Sequence, residues 1–290
     1  MIKEIEAKKV LTYHEQAFPT HWDVNPYRGC TVGCKYCFAQ YSHKYLRLDD
    51  FFKDIIVKTN VAECLEKELS NKKWKGQQIK IGGTTDLYQH SEKSYELMQK
   101  LLEVIKRHRN PVFIQTKSTL LLRDYELIKE LAKITTVDIA TRISTFDNNI
   151  QKIIEPGAAS AMERLEMLAQ FGGIVRSSTL GLMPIIPLLS DTDENLETTF
   201  REAKKMGIDN IVTSILFLRG EVKPSFFKVI QKHFPEKFLA FAALYTKSDA
   251  DENYRTELFK KLRELRAQYN FHKTFVPAPA KKETEQLTLF

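Results

Sequence analysis

Cys30-Thr31-Val32-Gly33-Cys34-Lys35-Tyr36-Cys37, entered through Arg28-Gly29 and left through Phe38-Ala39, carries three thiols in eight positions. Thiolates spaced this closely converge on one metal centre, and Gly29 and Gly33 let the backbone turn tightly around it. An iron–sulfur cube of the [4Fe-4S] type commonly takes four thiolates. Three leave one iron open to a substrate or cofactor, as a catalytic site requires. The alternative is zinc, with His43 or His21 completing a tetrahedron. Zinc ribbons supply two separated CxxC pairs, however, and the only cysteine outside this loop is Cys64.

Outward from the loop, short β-branched runs alternate with longer segments that carry apolar residues at helical spacing, the pattern of repeated βα units and a parallel sheet. Six strands are expected: Val24 to Arg28, Ile79 to Gly83, Val112 to Thr116, Val137 to Ile143, Ile174 to Met183, and Asn210 to Leu216. Helices are expected over Glu92 to Arg107, Asp124 to Ala132, Ala158 to Phe171, Asp193 to Met206 and Asp251 to Tyr269. Cys64 falls with Val61, Leu65 and Leu69 on the apolar face of another helix, so it reads as a small core residue. The fold class is α/β, a partial TIM barrel of the (β/α)6 kind. Its organisation reads as an N-terminal extension (1–22), a catalytic core (23–235), a C-terminal helical extension (236–274) and a flexible tail (275–290).

In parallel barrels the chemistry sits beyond the carboxyl ends of the strands. The loops there read Gly29-Cys30 onward, Gly82-Gly83-Thr84-Thr85-Asp86, Thr116-Lys117-Ser118, Ser144-Thr145-Phe146-Asp147, Pro184-Ile185-Ile186-Pro187 and Phe217-Leu218-Arg219-Gly220 when taken from the end of each run.

Lys plus Arg number 44 against 37 Asp plus Glu, a net charge of +7 that favours salt-sensitive attraction to a polyanion such as nucleic acid. Basic runs such as Lys106-Arg107-His108-Arg109 also fit the solvated faces of helices. No apolar run approaches the ~20 residues of a membrane helix, and the charged first residues lack a secretion signal. A cytoplasmic, thiol-reducing location without membrane contact is the expectation.

The CxxxCxxC loop after the first strand of a six-unit βα chain resembles the radical S-adenosylmethionine (SAM) superfamily. Within it, Asn25-Pro26-Tyr27-Arg28-Gly29-Cys30 and Tyr36-Cys37-Phe38-Ala39 resemble the spore photoproduct lyase-like group, also labelled DNA repair photolyase-like. Ile81-Gly82-Gly83-Thr84-Thr85-Asp86-Leu87-Tyr88-Gln89, Thr116-Lys117-Ser118, Glu155-Pro156-Gly157, Arg164-Leu165 and Met183-Pro184-Ile185-Ile186-Pro187 extend the match from about residue 20 to 225.

The resemblance implies a [4Fe-4S] cluster held by Cys30, Cys34 and Cys37, which cleaves SAM reductively to a 5′-deoxyadenosyl radical. It places Tyr36 beside the adenine, Gly82 and Gly83 at the methionine amino group, and Lys117 and Ser144 at the SAM carboxylate or ribose. It also implies an electron donor such as flavodoxin or ferredoxin. The residues leave plainer readings open: a strand-to-loop turn for Gly82-Gly83, a surface charge for Lys117 and a helix cap for Ser144. Asp86, Glu155 and Arg164 read either as SAM contacts or as acid–Arg pairs bracing the barrel mouth. The spore photoproduct lyases use a further cysteine as hydrogen donor, for which only Cys64 remains, and Val32, Leu87 and His90 depart from the group's common residues.

The tail ends in Gln286-Leu287-Thr288-Leu289-Phe290, which resembles the peptide that docks bacterial repair proteins on the DNA sliding clamp. One amide and three apolar side chains on a linker suit a preformed apolar pocket, with Gln286, Leu287, Leu289 and Phe290 as contacts. The alternative is a tail folded back on the barrel. The expected activity is radical-based repair or modification of DNA; radical chemistry on RNA, protein or a small molecule and a non-enzymatic metal-stabilised clamp adaptor are the competing readings.

Overall fold

The computed structural model describes residues 1–15, 20–46 and 48–271. The strands are β1 (Ile2–Ile5), β2 (Leu11–Tyr13), β3 (Trp22–Val24), β4 (Tyr27–Arg28), β5 (Ile55–Lys58), β6 (Ile79–Ile81), β7 (Val112–Gln115), β8 (Val137–Ile143), β9 (Ser177–Ile185) and β10 (Asn210–Ile215). The helices are α1 (Val61–Leu69), α2 (Glu92–Tyr95), α3 (Leu97–His108), α4 (Tyr125–Ile134), α5 (Asn148–Ile154), α6 (Ala161–Ala169), α7 (Asp193–Lys205), α8 (Val222–His233), α9 (Phe238–Leu244) and α10 (Glu252–Gln268).

The main sheet has seven strands in the order β10-β9-β8-β7-β6-β3-β2. Six of them, β3 and β6 to β10, run parallel, and β2 is added antiparallel at one edge. Register aligns the carboxyl ends, with Val24 opposite Ile81 and Ile81 opposite Ile114. The expected partial (β/α)6 barrel is thus present, and the sheet stays open between β10 and β2. A second sheet, β1-β5-β4, was not expected; in it β1 pairs parallel and β4 antiparallel with β5.

Each barrel strand separates two environments by its period of two. Ile79 and Ile81, Val112 and Ile114, Ile139 and Ile143, and Leu180 and Leu182 are buried in the main apolar core together with helix residues such as Leu101, Leu131 and Leu165. The alternate positions face the hollow of the barrel. There Lys80 lies 5.9 Å over the Phe113 ring, while Gln115, Arg142 and Met183 reach the cavity above. Burial pushes the Lys80 amine down to about 7; Arg142 adds to the shift and Asp23 opposes it.

Several boundaries differ from the expectations. Val24 to Arg28 is not one strand: β3 ends at Val24, and Tyr27–Arg28 joins the small sheet. Pro26 lacks a donor, and the Asn25 side chain turns to accept from Gly83 N–H (2.8 Å) and Thr84 N–H (3.0 Å). The helix from Glu92 breaks at Glu96 (φ +48°), where the Glu92 carboxylate takes the N–H groups of Leu97 and Met98. The helix expected from Ala158 starts at Ala161, because Ser160 and Glu163 form a capping box. The strand expected from Ile174 starts at Ser177, since Phe171 to Val175 closes a turn in which Val175 N–H bonds the Phe171 carbonyl.

Candidate active site

The cysteine loop is fixed from several elements. Cys30 N–H donates to Phe51 O (3.0 Å), Lys35 N–H to Ile154 O (2.9 Å) and Gly157 N–H to Val32 O (2.9 Å). Gln89 receives the Thr31 N–H at 2.9 Å and donates to Gly29 O at 3.3 Å. At Gly29 the backbone has φ +81°, and a Cβ there would lie 2.3 Å from the Asp54 carbonyl oxygen, so only glycine fits.

Cys30, Cys34 and Cys37 all line one cavity of about 380 Å³ at the carboxyl end of the sheet. Gly82, Gly83 and Lys117 stand on its wall, and so does Tyr36. Burial pushes all three thiols up, Cys37 to about 11, and the neighbouring Cys34 adds to the shift at Cys30 and Cys37. Two donors are already aimed at the sulfurs: Asp86 N–H lies 3.4 Å from Cys30 Sγ and Lys117 Nζ 3.7 Å from Cys34 Sγ. Such donors stabilise a thiolate once metal displaces its proton. This donor set suits a metal–sulfur cluster. The zinc alternative loses its fourth ligands: neither His43 nor His21 is among the residues that line the cavity shared by the three cysteines.

Beside the cysteines, one carboxylate gathers four side chains. Glu155 Oε1 receives Lys117 Nζ (2.6 Å), Ser144 Oγ (2.9 Å) and the Tyr36 hydroxyl, while Oε2 receives Arg164 Nη1 (2.8 Å). Burial alone would raise this carboxyl; Lys117 and Arg164 more than offset it and hold it down at about 2. Tyr36 is pushed well up by burial and by Glu155, so its phenol stays a donor. Its ring packs edge-on against Phe226 of α8, 6.5 Å between centroids. Asp86 ties the second and third strand ends together by accepting from Thr116 Oγ1 (2.6 Å) and Lys117 N–H (2.7 Å).

The structure therefore brings the three cysteines, Tyr36, Gly82, Gly83 and Lys117 to one cavity. Ser144 is fully buried, 3.2 Å from the Tyr36 hydroxyl, on the Glu155 side of the cluster. Glu155 and Arg164 form the brace that was one of their two readings. Cys64 sits in the main core on α1 and donates to Ala7 O (3.0 Å). Gln286, Leu287, Leu289 and Phe290 lie outside the described residues. Arg142, Phe217 and Arg219 also line the cavity and were not singled out. For Arg142 the signal was available, a charge at an alternate position of a buried strand.

An open parallel barrel with a cysteine loop after its first strand and paired glycines after its second defines a partial-barrel α/β protein whose working end is the cysteine end. Residues 24–203 match the family model of the radical SAM superfamily, and the chain belongs to that superfamily. The cofactors of this superfamily are a [4Fe-4S] cluster and SAM. An uncharacterized protein of Mycobacterium tuberculosis is 31% identical over 282 residues, covering 94% of this chain and 83% of that protein. An uncharacterized protein of Methanocaldococcus jannaschii is 31% identical over 170 residues, 59% of this chain and 62% of that one. Among solved structures, spore photoproduct lyase with bound AdoMet and dinucleoside spore photoproduct has a similar fold. Its TM-score is 0.66 at 15% identity, over 92% of this chain and 78% of that one. Among the described residues no helix is long and apolar enough to cross a membrane.

Proposed function

We propose that Cys30, Cys34 and Cys37 hold the [4Fe-4S] cluster and that the enzyme repairs or modifies DNA by radical chemistry. The observation that carries this reading is the cavity shared by three thiols, two donors directed at their sulfurs and the Gly82-Gly83 backbone. When bound, the cluster supplies one electron, drawn from a donor such as flavodoxin or ferredoxin, that cleaves SAM to methionine and a 5′-deoxyadenosyl radical for hydrogen abstraction.

The chain's own residues shape that event. Gly82 and Gly83 expose backbone where a side chain would stand; a Cβ on Gly83 would lie 2.3 Å from Asp23 Oδ2. Lys117 and Tyr36 stand on the cavity wall, prepositioned by Glu155, with Ser144 buried behind them, so that Lys117 would hold the SAM carboxylate or ribose with little reorganisation. Burial of the loop shields the radical from solvent. A DNA substrate is supported by the net charge of +7 and by the fold shared with a lyase whose structure holds a dinucleoside photoproduct.

The test is anaerobic reconstitution with iron and sulfide, reduction, and assay of 5′-deoxyadenosine from SAM by wild type and Cys34→Ala. Brown wild type that makes deoxyadenosine, with loss in the variant, is expected. A colourless zinc protein that leaves SAM intact overturns the reading. On sequence alone, Gln286 to Phe290 is proposed as a sliding-clamp peptide; clamp pull-down that survives deletion of Phe290 removes that part.

A further inference from the structure

The cavity wall divides by strand. Under the proposed function, the cysteine loop, Gly82 and Gly83 after β6, and Lys117 after β7 serve cluster and SAM. Sheet order puts β9 and β10 at the opposite end, and from them come Met183, Pro184, Ser214, Phe217 and Arg219. None of the cofactor roles assigned above falls on a residue of this half.

Its chemistry is distinctive. Phe217 at the mouth is 46% exposed, and Phe38, which lines the same cavity from the end of the cysteine loop, is 45% exposed. The Phe38 ring is stacked on Tyr41, 6.3 Å between centroids and 25° between planes. Exposed rings on a cavity wall offer flat apolar faces that a ligand entering the cavity can cover. Arg219 is exposed and forms no ion pair among the described residues, whereas Arg142 on the same wall is attracted by Tyr36, the cysteines and Glu155. The one carboxylate on the wall, Asp86, is taken up by Thr116 and by the N–H groups of Tyr88 and Lys117. The uncompensated charge of this half is therefore positive.

Flat apolar rings beside an unpaired guanidinium match a flat aromatic base joined to a phosphate. We infer that Phe217, Phe38 and Arg219 form a nucleotide subsite in which an unstacked base of a nucleic-acid strand lies on the rings and its phosphate on Arg219. The inference rests on the proposed function and deepens it. A paired, stacked base hides its faces, so the occupant is single-stranded or flipped out of a duplex.

The test uses reconstituted holoprotein without oxygen and a fluorescein-labelled octamer of thymidylate, with an abasic octamer of equal charge as its partner probe, both read by anisotropy. Wild type is expected to bind the thymidylate probe more tightly than the abasic one. Phe217→Ala weakens thymidylate binding about ten-fold and leaves abasic binding unchanged, whereas Phe217→Trp retains it. Arg219→Gln weakens both probes and lowers the salt slope by roughly 0.7. Iron content and circular dichroism establish that each variant is folded and loaded. Equal wild-type binding of the two probes, or unaltered thymidylate binding by Phe217→Ala, overturns the subsite. If wild type still makes deoxyadenosine in that case, the proposed radical chemistry stands without it; if wild type makes none, the proposed function itself fails.

Discussion

The ammonium of Lys117 lies 2.6 Å from Glu155 Oε1 and 3.7 Å from Cys34 Sγ, so a single partly buried cation links the carboxylate hub to the cysteine loop. Neither partner is near in sequence: Lys117 follows β7, Glu155 ends α5, and Cys34 belongs to the turn after β4. Burial strengthens the attraction, since little water screens it, while the cost of desolvating both charges offsets part of that gain.

Lys117→Met tests the sulfur contact. It removes one positive charge and one donor from the Cys34 sulfur, both of which favour the reduced, more negative cluster. The reduction potential is expected to fall by about 60 mV, the equivalent of a tenfold change for one electron. Redox titration followed by electron paramagnetic resonance reads it, and an unchanged potential would remove Lys117 from the cluster's surroundings.

Glu155→Gln tests the hub through pH. The wild-type carboxyl sits at about 2 in the folded protein against an ordinary value of 4.5. Its contribution to stability is complete above pH 4.5 and is lost as pH falls from there toward 2. Near neutral pH the variant leaves Lys117 and Arg164 buried without their partner and is expected to lose about 3–5 kcal/mol. Urea denaturation at steps from pH 7 to pH 3 should show that shortfall narrowing below pH 4.5; a gap independent of pH would mean that Glu155 does not carry the charge.

Two glycines separate a clash from a backbone preference. Gly29 (φ +81°) would place a Cβ 2.3 Å from Asp54 O, while Gly173 (φ +73°) has nothing within 4 Å. Gly173→Ala is expected to cost about 1 kcal/mol for the left-handed backbone. Gly29→Ala adds roughly 1–3 kcal/mol of overpacking and disturbs the cysteine loop, lowering iron uptake. Thermal denaturation and iron content of the two variants, compared side by side, decide whether the Asp54 carbonyl holds the loop closed.

Cys64→Ala removes a thiol that donates to Ala7 O at 3.0 Å from within the core. A loss of about 1 kcal/mol is expected, with deoxyadenosine production at the wild-type level. If that production collapsed while the fold persisted, the thiol would belong to the chemistry and not to the packing.

Much of this was legible in the residues. Val137 to Ile143 is a strand over those same residues, and the other barrel strands fall within a few residues of their β-branched runs. Those runs are read as short continuous β-branched stretches, which burial on both faces produces. The kink at Glu96 was not legible, because it depends on the Glu92 carboxylate reaching the N–H groups of Leu97 and Met98. That carboxylate is itself held by Tyr27 and Arg123 from distant segments, and tertiary bonds of that kind override helical spacing. The small sheet escaped for a similar reason: β4 has two residues, and its pairing with β5 spans nearly thirty positions of chain that no local pattern encodes. At the site, the cysteines and paired glycines announce themselves by spacing. The convergence of Tyr36, Lys117, Ser144 and Arg164 on one carboxylate joins five separate segments and becomes visible only in three dimensions.

Among the described residues the sheet does not close: β10 and β2 are its two ends, with no strand joining them. A barrel with a missing side offers a slot, along which a long chain can lie crosswise while one of its units turns inward. For the nucleic-acid substrate proposed above, an open side would let the enzyme work at interior positions of a continuous strand and leave without ever having encountered its ends.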